Sequence, residues 1–156
     1  MVRCENVNKG KPALKYYLLK SKEGLTIKLK NLNGRKARVL LVYPDYTDRD
    51  LKGKSSGGSY SEGLASISAV LKQGGHSVSL LHLLYLHDKQ EFQNKLKDAG
   101  KFDIIGFSVR TTAFPDSKLY IEWTNEVYPD VFIICGSYHC TLVPAEVLAV
   151  NGVDCV

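Results

Sequence analysis

From Arg38 onward, short apolar runs alternate with segments of helical period, and no other feature constrains the chain as much. Strands separated by helices pair in parallel, in a sheet covered on both faces. Residues 39–43 form the first expected strand, 78–83 the second, 102–109 the third and 131–135 the fourth. The third is apolar enough to lie at the centre of the sheet. The intervening helices carry their own start and stop signals. Ser59 and Glu62 make an S-x-x-E capping box ahead of a face formed by Leu64, Ile67 and Leu71, and Gly74-Gly75 stops that helix. Asp88 and Glu91 repeat the box before Phe92 and Leu96, with Gly100 as the stop. Pro115 suits the first turn of a third helix, whose face is Leu119, Trp123 and Val127 and which ends at Pro129. A short helix over 144–150 and the first residues of a fifth strand over 153–156 complete the pattern.

The expected fold class is therefore α/β: a Rossmann-like, flavodoxin-like doubly wound parallel sheet of strand order 2-1-3-4-5, with the fifth strand truncated. A chain that stops inside a strand reads as part of a longer protein, because termini normally lie beyond the core elements. An unfinished sheet of that kind also invites dimerisation. The expected domains are 37–156, the α/β unit, and 1–36, an N-terminal appendage. In the appendage Leu25, Ile27 and Leu29 alternate with Thr26, Lys28 and Lys30, and residues 16–19 offer a second strand, which predicts a small β-hairpin followed by a linker over 31–34.

The net charge of +5 is concentrated in this appendage: residues 1–38 hold eleven Lys and Arg against two acids, and the rest holds ten against fourteen. A basic tail on an acidic domain does not make nucleic acid the expected partner, and a row of strand lysines reads as a solvated edge. A chain of 156 residues buries on the order of 70% of its unfolded surface and folds without disulfides or structural metal. The four cysteines (Cys4, Cys135, Cys140, Cys155) contain no C-x-x-C pair and no secretory leader pattern opens the sequence, so reduced thiols and a cytoplasmic location are expected. No apolar run approaches the roughly 20 residues of a membrane span.

In such sheets ligands lie beyond the carboxyl ends of the strands, where strand order reverses. That rule selects the loops 44–60, 110–114 and 136–143. The first carries Gly57, Gly58, Ser59 and Tyr60, where glycine lets backbone approach a ligand and a helix N-terminus offers free N–H groups. Ser108, Arg110, Thr111 and Thr112 gather hydroxyls around one cation at the second, and the third holds Gly136, Ser137, Tyr138 and His139. These are the candidate cofactor-binding residues; no catalytic or metal-ligating residue is expected. His139 is placed at the crevice edge, whereas His82 and His87 flank the end of the second strand as surface residues. Cys135 is expected to pack, and Cys140 is the candidate reactive thiol.

Common ligands of this architecture do not suit the loops. A phospho-receiver needs an aspartate at the end of the third strand, where Ser108 stands, although Asp45 and Asp48 would supply its acidic cluster. A flavin phosphate loop belongs directly after the first strand, and Ser55 lies far beyond Pro44. The dinucleotide pattern G-x-G-x-x-G is reduced to Gly57-Gly58 and Gly63, and no P-loop lysine is present.

Four stretches together resemble a known family: RVLLVYP from Arg38, GGSYSEGL from Gly57, FDIIGFSV from Phe102, and ICGSYHCT from Ile134 followed by Pro144-x-Glu146. Over about residues 37–156 they look like the N-terminal cobalamin (B12)-binding domain of radical S-adenosylmethionine enzymes. The most specific part is that family's G-G-x-H-P-T…P-E-E stretch, matched at Gly136, His139, Thr141, Pro144 and Glu146, with departures at Ser137, Cys140 and Ala145. The methionine-synthase branch places the axial histidine of its D-x-H-x-x-G motif where Asp50 stands here. The resemblance thus implies cobalamin held base-off, its dimethylbenzimidazole tail in the sheet crevice and no protein imidazole beneath cobalt. It implies as partner a radical S-adenosylmethionine domain of the same polypeptide, with S-adenosylmethionine and a [4Fe–4S] cluster belonging to that parent. The four cysteines here do not have the C-x-x-x-C-x-x-C spacing that holds such a cluster, so the fragment alone is expected to be inactive. The alternative is a flavodoxin-like interaction or regulatory module without cofactor, acting through the basic hairpin; a flavin electron carrier is a third option.

Overall fold

The computed structural model describes residues 5–6, 17–18, 35–46 and 58–156. Within the appendage, β1 (Glu5–Asn6) pairs antiparallel with β2 (Tyr17–Leu18). The expected hairpin partner over 25–29 and the linker over 31–34 lie outside the described residues.

The remaining strands, β3 (Arg38–Pro44), β4 (Ser77–Leu83), β5 (Ile104–Ser108) and β6 (Phe132–Gly136), form one parallel sheet of order β4-β3-β5-β6. Numbered along the sheet, this is the 2-1-3-4 order read from the sequence. The fifth strand is reduced to a single parallel bridge between Cys155 and Ile134, with Cys135 N donating to Cys155 O at 2.9 Å. The run RVLLVYP is buried beyond its first residue because β3 has a strand on each side and helices over both faces. At its foot Asp103 accepts from Arg38 N at 2.8 Å and from both guanidinium amines of Arg35, tying the entry of β3 to that of β5.

The two faces are unequally covered. On one, α2 (Lys89–Ala99) and α3 (Phe114–Val127) pack Phe92, Leu96, Tyr120 and Ile121 against Leu40, Val42, Ile105, Phe107, Ile133 and Cys135. Asp88 caps α2 by accepting from Glu91 N at 2.9 Å, as its capping box predicts, and Pro115 lies in the first turn of α3. The expected face of α3 is met in part: Trp123 and Val127 pack against the core, whereas Leu119 is exposed and Tyr120, Ile121 and Thr124 are buried. The buried stripe is shifted toward Tyr120 and Thr124, where Tyr120 joins Phe92 and Trp123 in an aromatic cluster.

On the other face α1 (Glu62–Gln73) buries none of its residues. Leu64 and Leu71 reach a small cluster of Ala37, Val39 and Leu41, whereas Ile67, expected on the same stripe, is 50% exposed. The cap of α1 is Ser61, which accepts from Leu64 N, and not Ser59. Beyond α3 the chain adds α4 (Tyr138–Leu142), read from sequence as loop, and α5 (Pro144–Leu148), shorter than expected. Among the described residues no helix is long and apolar enough to cross a membrane.

Candidate functional site

The carboxyl end of β3 delivers Asp45 into a knot of polar groups drawn from the segment before α1, from β4 and from the loop after β5. Its side chain is 4% exposed. It accepts from the Ser59 amide, from Ser59 Oγ at 2.8 Å and from His82 Nε2 at 3.0 Å, and Arg110 Nη2 lies 3.2 Å away. Burial alone would raise the Asp45 pKa, but the hydrogen bonds from Ser59 and His82 and the charge of Arg110 outweigh it and hold the carboxyl below its ordinary range. Arg110 also donates to Pro44 O at 2.9 Å and stands 5.5 Å over the ring of Tyr43. Tyr43 and His82 are opposite each other in the parallel register, so their rings stack at 5.0 Å, and the Tyr43 hydroxyl meets Ser59 Oγ at 3.0 Å.

Beside this knot a cavity of about 560 Å³ runs between α1 and the β3–β4 side of the sheet. Leu41, Val78 and Leu80 supply apolar wall, and Ser59, Ser61, Ser68 and Ser79 supply hydroxyls. Among the described residues Lys72 and His82 are its ionisable nitrogen groups, and no carboxylate lines it. Such a lining suits a flat apolar body carrying hydroxyl and anionic groups. Gly58 is necessary at the mouth: its φ is +53°, and a Cβ there would come 2.7 Å from Leu84 Cδ2 and 3.1 Å from His82 Cε1.

The other sequence-selected residues lie along the carboxyl edge of β5 and β6. Ser108, 8% exposed, is paired with Gly136 in register, and Val109 N donates to Gly136 O at 2.8 Å. A Cβ added at Gly136 would meet nothing within 4 Å, so this stretch of edge lies open. Thr111 and Thr112 are exposed in a single 3₁₀ turn, Thr111–Ala113, and Tyr138 is 75% exposed at the start of α4. Ser137 holds φ +88° and ψ −172°, a region proper to glycine, at the position where the resembled motif has its second glycine.

Thus Ser59 and Arg110 meet on Asp45, with Gly58 and Tyr60 at the same cavity, while Ser108, Thr111, Thr112, Gly136, Ser137 and Tyr138 occupy the neighbouring edge. His139 turns inward: it is 6% exposed, its ring lies 4.1 Å from that of Phe114 at a tilt of 32°, and Glu146 Oε2 is 3.5 Å from Nε2. Gly57, and Asp50 at the axial-histidine position, lie outside the described residues. Cys140 is buried, and burial pushes its thiol up to about 11, which corrects its reading as a reactive loop cysteine. Among the described residues no cluster of three or more His, Cys, Asp or Glu is arranged to hold a metal ion.

Asp45 and His82 escaped the sequence reading as site residues. Asp45 had the signal of standing directly after the first strand, and His82 that of alternating with Val78 and Leu80. Their meeting depends on the β3–β4 register, which neither segment encodes alone.

A family model described as the B12 binding domain matches residues 49–156, a span that begins just beyond β3. No curated protein matches the chain.

Proposed function

Because the chain belongs to the B12 binding domain family, we propose that it holds cobalamin at the carboxyl edge of its sheet, with the nucleotide tail in the cavity under α1. The observation that carries the reading is that cavity: its 560 Å³ falls within the range of small-molecule sites, and among the described residues its lining combines apolar wall, serine hydroxyls and a lysine with no carboxylate. Leu41, Val78 and Leu80 would flank an aromatic base, and Ser59, Ser61, Ser68, Ser79 and Lys72 would meet ribose and phosphate. The open edge at Ser108, Thr111, Thr112 and Gly136 through Tyr138 would border the corrin, where backbone and hydroxyl groups can bond its amides.

The reading includes a base-off cofactor without a protein imidazole beneath cobalt. His139 and His87 are buried, and His82 already donates to Asp45. When bound, cobalamin supplies cobalt-centred alkyl or methyl transfer; the residues of this chain bind it and keep its tail from water. The sequence resemblance extends the proposal to a radical S-adenosylmethionine domain as partner, which would bring its own S-adenosylmethionine and [4Fe–4S] cluster, in a cytoplasmic protein.

The test is a visible-spectrum titration with hydroxocobalamin followed by desalting. Saturable retention of a base-off spectrum is expected, and Co(II) paramagnetic resonance should show no nitrogen superhyperfine splitting from a protein ligand. Ser68→Phe, which fills the cavity from α1, should weaken retention at least about tenfold, since a ring that excludes the base removes its apolar contact. Unchanged retention in that variant would move the tail out of this cavity.

A further inference from the structure

The roof of the cavity is weakly held by packing, since α1 buries none of its residues. Its position depends on what grips its ends. At the carboxyl end, Lys36 Nζ donates to Gly74 O at 2.8 Å, and Ala37 N donates to His76 Nδ1 at 3.1 Å. At the amino end the chain enters through Gly58, whose left-handed conformation turns the following amide toward the sheet. There Asp45 accepts both the amide and the hydroxyl of Ser59, two residues before the Ser61 cap. The same carboxylate accepts from His82 Nε2; a carboxylate only accepts, so this nitrogen carries a proton. Arg110, from the loop after β5, supplies the countercharge that lets a carboxylate stay ionised while 4% exposed.

We propose that Asp45 is a positioning residue for tail recognition: it fixes Ser59 and the ring of His82 in the cavity wall and holds the amino end of α1 over the mouth. The proposal rests on the tail-in-cavity reading and goes beyond it, because Asp45 itself is not among the residues that line the cavity. A residue acting in this way affects the part of the ligand that enters the cavity and leaves the part outside untouched.

Cobinamide, a corrinoid without the nucleotide tail, separates the two. Absorbance titrations of the chain, Asp45→Asn and Asp45→Glu with hydroxocobalamin and with cobinamide should show a wild type that prefers hydroxocobalamin. Asp45→Asn should lose at least about tenfold of that affinity, the scale of a charge-assisted hydrogen bond, with cobinamide affinity unchanged. Asp45→Glu, which restores the charge, should recover part of the loss. Equal hydroxocobalamin affinities for wild type and Asp45→Asn overturn the proposal, and so does an equal loss for both ligands, which makes Asp45 a residue of the fold alone. A wild type with no preference between the ligands overturns the tail-in-cavity reading, and the proposal with it. If Asp45→Asn does not fold, Asp45→Glu alone carries the test: its longer side chain shifts the carboxylate against Ser59 and His82, so it should lower the preference about threefold with cobinamide affinity unchanged, and an unchanged preference there also overturns the proposal.

Discussion

Ser137 carries a backbone conformation that costs a side chain of order 1–3 kcal/mol and glycine very little. Its side chain caps nothing and is exposed, so little is lost with it. Ser137→Gly should therefore stabilise the protein by about 1 kcal/mol, measured as a rise in the urea midpoint at constant m-value. His87 sets a second expectation. Burial holds its imidazole below the ordinary range, although Tyr85 O accepts from Nδ1 at 2.7 Å and Glu91 lies 3.4 Å from Nε2. The unfolded chain takes up this proton near pH 6.5 and the folded one only at lower pH, so the unfolded state binds more protons in between. Stability is thus full above about pH 6.5 and falls as the pH drops below it; His87→Gln should flatten that slope in pH-resolved urea titrations. At this scale the sequence was partly legible. It selected Ser59 and Arg110 without showing that they share Asp45, because hydrogen bonds spanning 14 and more residues leave no local pattern. It also assigned the α1 cap to Ser59: two serines stand in reach of the first turn, and the one nearer the sheet is taken by the carboxylate.

Elements were easier to read than contacts. The continuous apolar run of β3 marked a strand paired on both sides, and the capping box at Asp88 marked where α2 begins. What the same signals could not convey is how deeply a helix is buried. α1 and α2 have comparable start and stop signals, yet α2 buries Phe92 and Leu96 completely and α1 buries Leu64 and Leu71 only in part. The difference comes from what lies opposite: α2 meets α3 and its aromatic cluster, while α1 lies over a cavity. Phe92→Ala should accordingly cost about 3–5 kcal/mol in chemical denaturation, and Ile67→Ala less than about 0.5 kcal/mol. A comparable loss at both positions would mean that α1 is packed in solution as tightly as α2. The one-turn α4 went unread because five residues are too few to show a period.

For the whole molecule, the order of the parallel sheet followed from the alternation of apolar runs and helical periods, and chain-wide pattern is where sequence speaks most clearly. The unequal covering of the two faces was not readable, since it depends on volumes between elements. That inequality bears on how the protein comes apart. Trp123, the single tryptophan, sits in α3 beside Phe92 and Tyr120, so its fluorescence reports the well-packed face alone. Far-ultraviolet circular dichroism also counts α1. In a urea titration of the free protein the dichroic transition should begin before the fluorescence transition, and coincident curves would refute an independently loosening α1. A ligand seated under that helix stabilises only states in which it is docked, by an amount that grows with the logarithm of its concentration. Adding hydroxocobalamin should then draw the two transitions together. On the proposed reading, the loosely packed underside of α1 makes cooperativity a property that a bound ligand would confer, and the spread between two melting curves would measure occupancy with no need of colour.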